Sequence, residues 1–347
     1  MQSFRNLRFT VTRMVCPKWC LLGIWVVFWH AQSGWASRHF KIEKLSDGVY
    51  AAIHIEGGDA ICNAGIVDLG EKTLVFDPFI SPLAAHDLLK AAQRLTGSPV
   101  VYVVNSHFHN DHIRGNQVFA PGATVIATSR TRSLIAQHEP RALEAEKHYV
   151  PKQLEKFTAA YNKSHDAKEK TEFALMVDYY RALSESIPHV QTVLPVLTFE
   201  KELTLYGTRR NVRLVAFEKG HTESDLIMVV PGEEIVFTGD LLFIDGHPWL
   251  ADGFPESWID ILKVIRGMNP TKVVPGHGPV GSHADIDNMI HYIQSLEHLI
   301  RQRIQEGRNV DTISPRDMPK PFKHWHFHTF LPMNVRFMAD HIRKDLK

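Results

Sequence analysis

The stretch Ser106-His107-Phe108-His109-Asn110-Asp111-His112 constrains this chain more than any other part of its sequence. It places three imidazoles and one carboxylate within six residues, and these groups suit a borderline cation such as zinc. The apolar run before it predicts a buried strand, and the residues after it predict the opening of a helix. On extended chain His107 and His109 point to one side, whereas Asp111 and His112 fall where the chain turns. Four ligands on one such turn predict two metal ions rather than one.

Three later segments each place one metal-competent side chain at the end of a predicted strand, directly after a glycine. These side chains are His221 in Lys219-Gly-His-Thr-Glu-Ser-Asp225, Asp240 in Phe237-Thr-Gly-Asp-Leu-Leu-Phe243, and His277 in Val274-Pro-Gly-His-Gly-Pro279. The glycine permits a tight turn and a close approach of the backbone to an ion. One such segment is weak evidence, but three of them after the histidine-rich stretch predict a complete metal centre.

This order of ligands resembles the metallo-β-lactamase fold superfamily, whose hallmark is His-x-His-x-Asp-His followed by a distant His, an Asp and a last His. The resemblance runs from about residue 41 to residue 299, apart from a helical segment. It implies an α/β fold, a four-layer αβ/βα sandwich, with two zinc ions at one edge between the two sheets. Carried over by position, the implied ligands are His107, His109 and His221 for the first metal, Asp111, His112 and His277 for the second, and Asp240 as the bridge.

The resemblance also implies a hydrolytic mechanism. Two zinc ions about 3.5–4 Å apart share a water molecule and lower its pKa toward about 7, and the resulting hydroxide attacks an acyl carbon. The implied catalytic residue is Asp111, which orients this nucleophile and moves a proton to the leaving group. Asp77, at the end of a neighbouring predicted strand, is expected either to hold a ligating histidine or to cap its own strand. Asn116 is expected to hold the metal loop.

The ligand set also indicates a branch of the superfamily. Branches that act on β-lactams commonly replace the bridging aspartate, whereas this chain keeps Asp240 and His112, as glyoxalase II-type thioesterases and lactonases do. The segment around His221 lacks the continuation usual in glyoxalase II and looks closer to class B β-lactamases and exported SoxH-like hydrolases. By resemblance to the SoxH-like group, His247 and Trp249 are expected to line the substrate pocket, with a place in the core as the alternative for Trp249.

The expected function is therefore hydrolysis of an ester, thioester, lactone or amide in a small acyl substrate, with β-lactams as secondary substrates. Two alternatives stay open on the sequence. One is a mononuclear iron enzyme resembling persulfide dioxygenases, and the other is a metal-binding member of the fold without turnover. Metal content separates them, because two ions per chain favour hydrolysis and one iron ion favours redox chemistry. All seven ligand positions are filled, which argues against the member without turnover.

The first 36 residues have the pattern of a secretory signal peptide. They contain four basic residues, no acidic residue and a nine-residue apolar run at 21–29, with cleavage expected after Ala36. A membrane span needs about 20 apolar residues, so the mature chain is expected to be periplasmic or secreted, without a membrane span. An uncleaved anchor and an early start codon are the alternatives. Cleavage leaves Cys62 as the single cysteine, so no disulfide framework is expected.

Length and composition allow one large or two modest cores, with 347 residues and 44% apolar content. The formal net charge is +1 and no basic block occurs, so no nucleic-acid partner is expected. We expect the metallo-β-lactamase-fold domain at 37–310, with a helical insertion at about 128–190 that forms a lid, a dimer surface or a solvated hairpin. A C-terminal extension follows at 311–347. Its His324, His326 and His328 are expected at the surface or in packing, because no acidic residue accompanies them.

Overall fold

The computed structural model describes residues 37–345, which form two β-sheets with helices on their outer faces. The predicted signal peptide lies outside the described residues. The first sheet has seven strands in sequential order, β1 Phe40–Ser46, β2 Val49–His54, β3 Ala64–Asp68, β4 Thr73–Phe76, β5 Val100–Val104, β6 Thr124–Thr128 and β7 Leu197–Phe199. The second sheet has five strands, β8 Glu202–Leu205, β9 Val212–Glu218, β10 Ser224–Val230, β11 Ile235–Phe243 and β12 Lys272–His277.

The helices connect and cover these strands. They are α1 Pro82–Thr96, α2 Asn110–Ile113, α3 Asn116–Phe119, α4 Ser129–Lys163, α5 Ala167–Ser186, α6 Pro255–Gly267, α7 His283–Gln305 and α8 Leu331–Asp345. Among the described residues, no helix combines the length and the apolar character that crossing a membrane requires.

The two sheets face each other across a shared apolar core. In the first sheet β1 to β4 pair antiparallel and β4 to β7 parallel; in the second, β8 to β11 pair antiparallel and β12 runs parallel to β11. Between the sheets, the rings of Phe76 and Phe237 lie 6.0 Å apart. Helices α1 and α3 pack on the first sheet, and α6, α7 and α8 cover the second around the buried Trp258 and Tyr292. The predicted four-layer αβ/βα sandwich is confirmed.

Helix α1 illustrates how local sequence sets an element boundary. Ser81 caps the helix by accepting a hydrogen bond from the backbone N–H of Leu83, and Pro82 occupies the first turn. The helix ends at Gly97, whose φ of 71° places it in the left-handed region that favours glycine. Its buried face of alanines and Leu88 packs on the first sheet. A serine followed by proline is a start signal that can be recognised in the sequence.

Several elements differ from the sequence-based expectation. Strand β1 was not predicted, because its FKIEKLS sequence is half charged, as suits a strand at the edge of a sheet. The apolar sequence at 193–199 predicts a longer strand than β7, which begins only at Leu197 since Pro195 lacks the N–H that a ladder needs. The predicted helix after the metal loop divides into the one-turn helices α2 and α3. Helix α8 gives the C-terminal extension a regular structure.

Helices α4 and α5 span the region where the sequence predicts a helical insertion, and they pack against each other. Arg114, next to the metal loop, holds α4 through buried ion pairs of 2.7 Å to both Glu139 and Glu146. On α5, Asp178 accepts a hydrogen bond from the backbone N–H of Gly57, in the turn between β2 and β3. Both helices are therefore fixed to the face of the sandwich that carries the histidine-rich loop.

Candidate metal centre

The ends of four strands meet at one edge between the two sheets. The histidine-rich stretch follows β5, His221 lies in the turn between β9 and β10, Asp240 lies within β11, and His277 ends β12. The seven residues predicted as ligands converge there into two groups of donors. The two groups share Asp240, whose two carboxylate oxygens face in different directions.

The first group consists of His107, His109, His221 and Asp240. From His221 Nε2 the distance is 3.0 Å to His109 Nδ1 and 3.4 Å to Asp240 Oδ2, and His107 Nε2 lies 3.8 Å from the same oxygen. Ligand atoms about 2.0–2.2 Å from a zinc ion stand about 3.3–3.5 Å apart at tetrahedral angles. The spacing of these donors suits one zinc ion.

The second group is built from two overlapping sets of donors, Cys62 with Asp111 and His112, and His112 with Asp240 and His277. The predicted ligands in it are Asp111, His112, His277 and Asp240. His112 Nε2 lies 3.1 Å from Asp240 Oδ1 and 3.5 Å from Asp111 Oδ2. His277 Nε2 lies 3.4 Å and 3.3 Å from the same two oxygens. Because Oδ1 of Asp240 faces this group and Oδ2 faces the first, one carboxylate can bridge two ions.

Unpaired buried atoms test whether the residues fit metal ions. His107 Nε2 is buried and lacks a hydrogen-bond partner in the described structure, and His112 Nε2 and Asp240 Oδ1, although 3.1 Å apart, are not aligned for a hydrogen bond. Such atoms are costly unless a ligand satisfies them. A Cβ atom at Gly276 would lie 1.8 Å from Asp240 Oδ1, so any other residue there would occupy the space beside the bridging carboxylate. These features fit a pair of cations bound by nitrogen and oxygen.

Neighbouring side chains fix the orientation of the imidazoles. Asp77 accepts hydrogen bonds from His112 Nδ1 at 2.9 Å and from the backbone N–H of Ser106 at 2.7 Å. The expected contact of Asp77 with a ligating histidine is confirmed. Ser106 Oγ lies 2.9 Å from His107 Nδ1. These contacts leave Nε2 of His107 and of His112 directed at the Asp240 carboxylate. Hydrogen-bond acceptors on the other ring nitrogen raise the basicity of an imidazole as a metal ligand.

Asp252 fixes the orientation of the His109 imidazole in the same way. The sequence did not predict this contact. Asp252 Oδ2 lies 3.2 Å from His109 Nε2 and accepts a hydrogen bond of 2.7 Å from Trp249 Nε1. Burial would raise the pKa of Asp252, but the hydrogen bond to His109 holds it below its ordinary value. In the sequence, Asp252 is distinguished only as a single acidic residue in an apolar segment. Its partner His109 is 143 residues away, so no local spacing of residues indicates the pair.

The charges around the bridge set the protonation of the donors before a metal binds. Burial lowers the pKa of His107 well below its ordinary value and that of His221 to about 3, so both imidazoles are neutral. Burial also disfavours a charge on His277, but Asp240 and Asp111 raise its pKa to about 9. Metal binding must therefore displace a proton from His277, and the affinity for metal is expected to fall as the pH is lowered.

The Asp77→Asn variant is expected to bind metal at the second group of donors about 10- to 100-fold more weakly, because an uncharged amide oxygen is a weaker acceptor for the His112 proton than a carboxylate. The measurement is competition with a chromophoric zinc chelator. Asp68→Asn is the matched control: Asp68 is equally buried and ion-paired with Arg209, but it lies at the far end of the neighbouring strand. Equal zinc affinity in the two variants would contradict this role of Asp77.

Other predicted residues take distinct positions. Asn116 exchanges two hydrogen bonds of 2.9 Å with Asn105 and so holds the loop, as expected. Trp249 lines the cavity in front of the metal centre, as predicted.

His247 does not line the cavity, contrary to the prediction. Its ring is buried beside Tyr292, with Nδ1 2.9 Å from the tyrosine hydroxyl. Its backbone N–H donates to the carbonyl of His326, which fixes the ring on the inner side of the loop.

A cavity of about 460 Å³ opens onto this centre. Its floor includes His109, Asp111, Asp240 and His277. The walls come largely from the insertion and the C-terminal segment, and prominent among them are Phe108, Leu175, Tyr179, Trp249, Phe327 and Phe330. The insertion helices therefore form one side of the cavity.

Substituting His324, His326 and His328 together by glutamine is expected to leave the metal content unchanged. Within residues 37–345, these histidines take part in no group of three or more donors spaced for a metal ion. His326 instead faces Glu172 on α5, with Nδ1 3.4 Å from the carboxylate. Elemental analysis of the variant beside the parent chain checks this expectation, and a loss of one ion per chain would contradict it.

Comparisons with known proteins agree with this architecture. A family model described as the metallo-beta-lactamase superfamily matches residues 57–277. A protein named beta-lactamase-like protein 2 homolog, from Caenorhabditis elegans, is 22% identical over 273 residues, which cover 78% of this chain and 72% of that protein. A solved metallo-beta-lactamase from Pontibacter korlensis superposes with a TM-score of 0.54 at 16% identity, covering 74% of this chain and 99% of the other, and so shares its fold. The chain belongs to the metallo-β-lactamase superfamily, a superfamily of metallo-hydrolases.

Proposed function

We propose that this chain is a dinuclear zinc hydrolase that cleaves an ester, thioester, lactone or amide bond of a small molecule. The observation that carries this proposal is the shared carboxylate of Asp240, which lies 3.4 Å from His221 in one donor group and 3.1 Å from His112 in the other. A single metal ion would leave the second group, with its buried unpaired His112 Nε2, unsatisfied. The complete second group supports hydrolysis over the mononuclear iron alternative.

When bound, two zinc ions would activate a water molecule and polarise the substrate carbonyl. The chain's own residues supply the rest of the chemistry. Burial would raise the pKa of Asp111, but the nearby His112 and His277 hold it below its ordinary value, so this carboxylate is ionised. Asp111 lies on the floor of the cavity and is the residue placed to orient the nucleophile and carry a proton to the leaving group. The apolar walls exclude bulk water from this step.

The test is a panel of thioesters, aryl esters, lactones and nitrocefin, assayed with the purified chain as isolated, after chelation, and after zinc is restored. We expect turnover of at least one acyl substrate that disappears on chelation and returns with zinc. Asp260→Ala, on the exposed face of α6, serves as a surface control that keeps activity. No metal-dependent turnover across the panel, from a folded chain that holds its zinc, would contradict the proposal.

A further inference from the structure

The cavity in front of the metal centre combines apolar walls with an unusual distribution of charge. Its lining contains four carboxylates, those of Asp111, Glu139, Asp240 and Asp252. Among residues 37–345, no lysine or arginine lines it. Within this described part of the chain, the positive charge available in the cavity is that of imidazoles and of any metal ions that the donors on its floor would bind, and the outer part offers no permanent cation to an anionic substrate.

Two arginines in elements that border the cavity are engaged in ion pairs. Arg114 is buried, and its ion pairs to Glu139 and Glu146 occupy it. Arg181 on α5 binds Asp59 at 3.3 Å and Asp178 at 3.2 Å. Recruiting either group to a substrate carboxylate would leave buried carboxylates without their partner, which is strongly unfavourable.

A neutral donor faces the cavity instead. His54, at the end of β2, accepts a hydrogen bond of 3.2 Å at Nδ1 from the backbone N–H of Ile61. A ring nitrogen that accepts must be unprotonated, so the proton of this imidazole lies on Nε2 and the ring is uncharged. Because His54 lines the cavity, this N–H suits a carbonyl or amide oxygen of a neutral ligand.

From this distribution we propose that the cavity selects acyl substrates whose group away from the reacting carbonyl is uncharged and apolar, and that it rejects those with a carboxylate there. The inference rests on the proposed hydrolase function and adds the substrate class. A distal carboxylate would enter walls built from Leu175, Tyr179, Phe327 and Phe330, beside Glu139, and would lose its hydration without gaining a cationic partner. A phenyl or branched alkyl group would instead gain contact with these side chains.

The test uses two thioesters that differ only at the distal end, one with a phenyl group and one with a carboxylate, assayed at pH 8. We expect kcat/KM to be roughly 10- to 100-fold higher for the phenyl compound, given the cost of burying an unpaired charge. Binding is measured separately with the two corresponding ketones, in which a methylene replaces sulfur so that no hydrolysis occurs. The phenyl ketone is expected to bind more tightly to the metal-loaded chain by a similar factor.

A matched pair of variants tests the effect of a positive charge at the cavity wall. Met333 lies at the rim on α8 and is 38% exposed, so a longer polar side chain fits there without burial of its tip. Met333→Lys is expected to raise the ratio of carboxylate to phenyl ketone binding about two- to fivefold, as for an exposed ion pair, whereas Met333→Gln is expected to leave this ratio as in the parent.

The outcomes separate the two proposals. Preferential binding of the phenyl ketone, with no turnover of these thioesters or of any other substrate in the acyl panel, would support this substrate class and overturn the hydrolase function. Turnover of both thioesters at equal rates, with equal binding of both ketones, would overturn the substrate class and leave the hydrolase function standing. Failure of both ketones to bind would also overturn the substrate class.

Discussion

The Asp240→Ala variant is expected to keep less than one zinc ion per chain and to lose roughly 1,000-fold or more in kcat/KM. Asp240 is the one side chain that faces both groups of donors, at 3.4 Å from His221 and 3.1 Å from His112. Removing it would take one of four ligands from each ion. It would also lower the pKa of His277, because Asp240 is the first of the carboxylates that raise this pKa to about 9. Elemental analysis of the dialysed variant, with the thioester assay in parallel, measures both effects.

The fold of this variant must be checked separately from its metal content. Asp240 is buried within β11, so circular dichroism and thermal unfolding of the metal-free variant are compared with those of the metal-free parent chain. Asp260→Ala supplies the surface control. Two retained zinc ions in a folded Asp240→Ala variant would contradict the bridging role.

The Arg114→Met variant is expected to lower the Tm by about 5–15 °C, which corresponds to about 3–5 kcal/mol. Arg114 is 2% exposed and forms ion pairs with Glu139 and Glu146, both also buried. Without the guanidinium group, two buried carboxylates would face each other without a counter-charge. Burial already raises the pKa of Glu139 although Arg114 lowers it, so the carboxylate is costly to bury even with its partner.

A rescue variant distinguishes lost charge pairing from lost packing. Combining Arg114→Met with Glu139→Gln and Glu146→Gln removes all three charges and keeps similar side-chain volumes. We expect this triple variant to recover at least half of the lost Tm, because neutral amides are less costly to bury than ionised carboxylates. If the triple variant is no more stable than Arg114→Met, packing rather than charge accounts for the effect.

The sequence specified the metal centre well because its information is local. The histidine-rich stretch places His107, His109, Asp111 and His112 on one turn, and a glycine directly precedes each later ligand. The prediction that Asp240 ends a strand was wrong, because β11 continues to Phe243. Gly239 shows why a glycine precedes the ligand: its φ is +52°, and a Cβ there would lie 2.6 Å from the side chain of Ser106. Residue type, spacing and backbone constraint therefore point to the same residues.

The cavity could not be predicted in the same way, because it depends on long-range packing. Its walls come from helices far apart in sequence, and Tyr179 on α5 and Phe330 beside α8 have no pattern that distinguishes a cavity wall from a core. The expectation for His247 failed for a related reason. Proximity to Asp240 along the chain does not determine on which side of the loop a ring lies, and backbone pairing with residue 326 turns it toward Tyr292. The contact of Asp252 with His109 could not be predicted because the two residues are distant in sequence.

The most direct measurement is the number and identity of metal ions bound by the purified chain. Elemental analysis after gel filtration, on the chain as isolated and after zinc loading, gives both quantities. Two zinc ions per chain, in a preparation that hydrolyses a thioester, are the predicted result. A single iron ion, with no second ion taken up from excess zinc and no hydrolysis, would contradict the dinuclear centre while leaving the sandwich fold intact.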